Sequence, residues 1–60
     1  MNELIQRFVG KQCQVYSENG NSVQGVVDTV EGNWVSVQTK TGIELVNLDY
    51  VSRIKEKKSK

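Results

Sequence analysis

The residue types that perform most protein chemistry are scarce in this chain. Its 60 residues include no histidine and a single cysteine, Cys13. The commonest general base is therefore absent. Neither an internal disulfide nor a structural zinc site can be built. Alternation in the segment QCQVYS places Cys13 on a core-facing side, where a thiol behaves as a small inert hydrophobe. The carboxylates Asp28, Glu31 and Asp49 are scattered in or beside turns, as turn-forming or solvated residues are. Gly20 and Gly25 are spaced for a hairpin and a bend, not for a phosphate-cradling loop that leads into a helix. The chain reads as a non-enzyme with no cofactor, metal or small-molecule substrate.

What remains is binding chemistry. Trp34 follows a turn, and the register of Val35 and Val37 leaves its indole on the outer face or at the loop edge. Three uses are open to it: stacking on a nucleobase, anchoring a protein interface, or capping the fold. Tyr16 and Tyr50 share these options. Five of the eight basic residues lie between Arg53 and Lys60, opposed only by Glu56. Such a run is either a solvated terminus or a phosphate-contacting arm. A net charge of +1 argues against a binder driven by whole-surface charge.

These residues need elements to hold them. Asn2 can cap a short helix over residues 2–9, with Leu4, Ile5, Phe8 and Val9 on one apolar face and Gly10 as its stop. Two helical turns are unstable alone and must pack on a sheet. Residues 12–17 alternate as a half-buried strand, with Cys13 and Val15 inward. Asn19-Gly20 is a strong hairpin signal. Residues 22–30 form a long strand bent at Gly25. On it Val23 and Val27 share one face, and Val26 and Val30 take the other. Residues 34–39 and 43–48 alternate again, and residues 47–50 make a one-turn connector. Residues 50–54 form the last strand. The predicted fold is mainly β: a short N-terminal helix followed by a five-stranded, strongly bent antiparallel small β-barrel that closes its own edges. Residues 1–54 are the single domain, and residues 55–60 are a basic flexible tail.

A chain this short buries only about 60% of its unfolded surface. Cores of this size supply about 3–5 kcal/mol and usually need a staple. With disulfide and metal excluded, oligomerisation is the staple left. No signal peptide is visible, and no apolar run approaches the roughly 20 residues of a membrane span. A lone thiol suits a reducing cytoplasm.

The order of helix, Gly10-Lys11, strand, Asn19-Gly20, Gly25, Val27, Val30 and Glu31 resembles the first motif of the Sm/Lsm proteins and bacterial Hfq. The segment VNLDYVSRI, residues 46–54, falls where the second motif lies. The resemblance implies an Sm-like barrel, rings of typically six or seven subunits joined through edge strands, and binding of single-stranded RNA. If RNA is bound, Asn33 and Trp34 near the loop, Asn47 as a polar neighbour, and Arg53, Lys55, Lys57 and Lys58 on phosphates are the expected contacts. The chain departs from the family pattern at Val35, where the family has asparagine, and at Asn47-Leu48, where it has arginine-glycine. The Hfq-type lysine-histidine pair is also missing. The alternative reading is a small β-barrel protein–protein interaction module without nucleic-acid binding, anchored by Trp34 and Tyr50.

Overall fold

The computed structural model describes residues 3–58. After a short helix α1 (Glu3–Gln6), the chain forms β1 (Gln12–Ser17), β2 (Ser22–Glu31), β3 (Trp34–Thr39), β4 (Gly42–Asn47), a 3-10 turn (Leu48–Tyr50) and β5 (Val51–Glu56). All neighbouring strands pair antiparallel in the order β4-β3-β2-β1-β5. The sheet is open, so the expectation that five strands close their own edges is not met. The connector places β5 on β1, with the Tyr50 carbonyl accepting from the Glu18 N–H at 2.8 Å, and no ladder joins β5 to β4.

The core is a layer of small side chains, four valines and one cysteine. Cys13, Val15, Val27, Val35 and Val37 are fully buried. Around Cys13, Val27 and Val35 pack the half-buried Phe8, Val30, Val46, Leu48 and Ile54. Each valine removed from water contributes about 1.5–3 kcal/mol. Alternation in β1 and β3 places these residues as their spacing predicts.

Three expectations need correction. Val30 does not oppose Val27. A register shift at Asp28, between Val27 and Thr29, resets the parity of β2 and turns Val30 toward the core. The helix ends at Gln6, not Val9. The turns that follow carry i→i−3 bonds, with Phe8 N–H donating to Ile5 at 2.9 Å and Val9 N–H to Gln6 at 3.2 Å. Gly10, at φ 86°, then leaves the helical path, and its N–H donates to the Val27 carbonyl at 2.7 Å. Docking on β2 thus decides where the helix stops. Of the expected apolar face, Phe8 packs on the core and Ile5 is half-buried, whereas Leu4 and Val9 are exposed. The Asn2 cap lies outside the described residues.

The third correction concerns the last strand, which runs on through Glu56. Lys55 and Glu56 pair with Gln14 and Cys13, and the Lys57 N–H donates to the Gln12 carbonyl at 2.7 Å. β1 offers open backbone groups at its start, and the basic segment takes them despite its polar sequence. The β1–β2 turn forms at Asn19-Gly20 as expected, closed by the Ser17 N–H on the Asn21 carbonyl at 2.8 Å.

At Gly25 β2 lies tight against the backbone of β3. A Cβ there would overlap the Gln38 carbonyl oxygen, and would lie 2.9 Å from its carbon and 3.0 Å from Val37 Cγ1. Only glycine lets the two strands close at this point.

Candidate functional site

The residues singled out from the sequence separate into two groups. Asn33, Trp34 and Asn47 come together. The Asn33 Nδ2 donates to Asn47 Oδ1 at 3.2 Å. The same oxygen accepts the Asp49 N–H at 2.8 Å and so caps the 3-10 turn. The Leu48 N–H donates to the Asn33 carbonyl at 2.8 Å. The two bonds from Asn33 tie the β2–β3 turn to the β4–β5 connector, and the Asp49 bond fixes the connector's own first turn. Trp34 lies opposite Asn47 in the β3–β4 ladder. Its indole is 48% exposed, as its outward register predicts.

Trp34 and Asn47 line an open groove of about 950 Å³. One wall is the β1–β2 turn region, with Glu18. The other is β4, with Glu44 and Leu45, and Tyr50 of the connector also faces the groove. No Lys or Arg lines it among the described residues. Sequence reasoning did not single out Glu18 or Glu44. Glu44 left a signal: it sits opposite the fully buried Val37, a charge at a position whose parity is apolar. Glu18 left none, since its place depends on how the turn folds against Tyr50.

Arg53, Lys55 and Lys57 form the second group, and they do not line the groove. On β5, Arg53 pairs with Tyr16 and Lys55 with Gln14. Cys13 and Val15 are buried, so strand alternation places these cations on the outer face of the sheet. The Arg53 guanidinium lies 4.3 Å from the centroid of the Tyr16 ring, a cation–π contact. Lys57 Nζ donates to Gln24 Oε1 at 3.5 Å. Ser22, Gln24 and Val26 continue this face onto β2. Three cations therefore lie on this face along β5 and its extension, while at its far side on β2 the next position of the same parity is the exposed Asp28, whose carboxylate accepts from the Thr29 and Ser36 hydroxyls. Lys58 follows the strand and is exposed.

Cys13 is buried and free. Burial pushes its thiol pKa upward, the Glu56 charge adds to that shift, and Lys11 opposes it. The thiolate is thus disfavoured. Among the described residues no cluster of three or more His, Cys, Asp or Glu could hold a metal ion, and no helix is long and apolar enough to cross a membrane. Comparison with protein-family models, curated proteins and solved structures finds no match to this chain.

Proposed function

We propose that this chain is the subunit of a cytoplasmic Sm-like ring that binds single-stranded RNA, joined copy to copy by pairing β4 of one subunit with β5 of the next. The observation that carries this reading is the pair of free sheet edges. The sheet order leaves β4 and β5 each paired on one side only, and each is six residues long. Using two different edges head to tail is a heterologous contact, which yields a ring when the rotation closes. β4 carries one charge, Glu44, but no proline and no lysine, and Ile43 and Leu45 are 62% and 66% exposed. Pairing also supplies the staple that five small buried side chains leave wanting.

For RNA, the face of Arg53, Lys55 and Lys57 is the favourable surface, because phosphates there meet three cations beside Gln14, Tyr16 and Gln24. The groove beside Trp34 holds Glu18 and Glu44, which repel phosphate. This reading therefore moves the backbone contacts of RNA away from Asn33, Trp34 and Asn47.

A labelled oligouridylate titrated at rising salt tests this. We expect affinity to fall linearly on a log–log plot, with a slope of about −0.7 per phosphate contact. Arg53→Gln, Lys55→Gln and Lys57→Gln should each flatten it by about that amount. Absence of binding at low salt, or slopes unchanged in the variants, would overturn the RNA part of the reading.

A further inference from the structure

We propose that the groove between the β1–β2 turn and β4 is a docking site for an arginine-bearing peptide segment of a partner protein. The inference concerns a different surface from the cationic face and does not depend on RNA binding.

Charge is the first argument. Glu18 on one wall and Glu44 on the other are both exposed, and no basic side chain of the described residues lines the space between. Among the described residues the cations of β5 and its extension are placed elsewhere. Arg53 is stacked on Tyr16, and Lys57 is held at Gln12 and Gln24, at the far end of β5 from Tyr50. An incoming cation would thus find two carboxylates with no competing partner on the walls.

The aromatic lining is the second argument. Trp34 is 48% exposed and Tyr50 is 62% exposed, and both border the groove. A ring face attracts a cation, and arginine adds planar stacking and a fork of donors that matches a carboxylate. An anionic ligand would gain neither contact and would meet both glutamates.

The third argument is pre-organisation. The Glu18 N–H is bonded to the Tyr50 carbonyl at 2.8 Å, and Asn33 and Asn47 fix the turn that carries Trp34. The walls stand before any ligand arrives, so docking orders little of the protein.

Trp34 is the only tryptophan of the chain, so the tryptophan signal comes from this one residue, and variants of Glu18, Glu44 and Tyr50 assign it to the groove. The probe is a hexapeptide alternating arginine and threonine, with the glutamate–threonine peptide as control. Light scattering on the same samples keeps the oligomeric state known, so failure of docking and failure of ring assembly are read separately. We expect a saturable change in Trp34 fluorescence with the arginine peptide and none with the glutamate peptide. Affinity should fall at least tenfold in Glu18→Gln/Glu44→Gln. It should also fall in Tyr50→Leu, a separate variant should the first fail to fold. Lys55→Gln/Lys57→Gln should leave it unchanged. No saturable response, a response that both groove variants retain, or one given by an oligonucleotide instead would overturn the proposal.

Discussion

The Asn33 side-chain amide donates to the side-chain oxygen of Asn47, 14 residues further along the chain, at 3.2 Å. That oxygen also accepts the Asp49 N–H, so one carbonyl group joins the β2–β3 turn to the start of the 3-10 turn. Replacing Asn47 with alanine removes both bonds and leaves two donors without their partner. We expect a loss of about 1 kcal/mol, typical of a lost cap. Asn47→Asp keeps an acceptor toward both donors and should retain most of the stability. Urea unfolding of the two variants checks this, and equal losses would contradict the shared-acceptor account.

Gly25→Ala should be costly for a different reason. Its Cβ would be driven into the Gln38 backbone, which cannot swing aside as a flexible side chain can. Overpacking of this kind costs about 1–3 kcal/mol, and in a domain this small each kcal/mol lowers Tm by roughly 4–8 °C. A thermal melt within a degree or two of the parent would show that the strands are not pressed together at this point.

Cys13 should resist alkylation in the folded state, because its thiol is buried and its pKa is raised. The same shift bears on stability. The folded chain holds the thiol proton more tightly than the unfolded chain does. That contribution is fully present below the ordinary thiol value of 9.0 and is lost as pH rises through the raised folded value. Cys13→Ala should therefore show a shallower alkaline decline than the parent. Parallel stability curves over that window would contradict it.

The pairing of Arg53 with Tyr16 makes a prediction about the cationic face. Contacts of this class contribute about 0.5–1 kcal/mol at exposed sites. Arg53→Lys keeps the charge but loses the planar stacking group. It should leave the salt dependence of oligouridylate binding intact while slightly lowering the denaturation midpoint. A changed salt slope with an unchanged midpoint would place the role of Arg53 in ligand contact alone.

Much of this fold was legible because one face of each strand is buried. β1 and β3 alternate cleanly, so Cys13, Val15, Val35 and Val37 announced their side of the sheet, and Trp34 announced its own. Val30 was misread because an extra residue at Asp28 reverses parity, and the one local mark of the bulge, an aspartate inside a valine-rich strand, was read only as a solvated carboxylate. The helix end and the extent of β5 were misread for a shared reason. Both are decided by backbone partners distant in sequence, Val27 for Gly10 and Gln12 for Lys57. The site was legible in part. Asn33, Trp34 and Asn47 do meet, but the cations of β5 belong to another face. The carboxylates that give the groove its charge come from a turn and an edge strand, and only the folded topology brings these together.

The central claim is assembly through the free edges of β4 and β5, and solution mass tests it most directly. Light scattering would be run on protein purified with and without nuclease treatment. The account expects one discrete species, a fixed multiple of the 6.8 kDa subunit in the range of a closed ring, about six or seven copies. Nucleic acid should be carried along in the untreated sample. Leu45→Lys, which adds a charge beside the exposed β4 edge, should lower that mass. A monomer or dimer free of nucleic acid in both preparations would contradict the ring and leave the open five-stranded sheet as a module that acts through its groove alone.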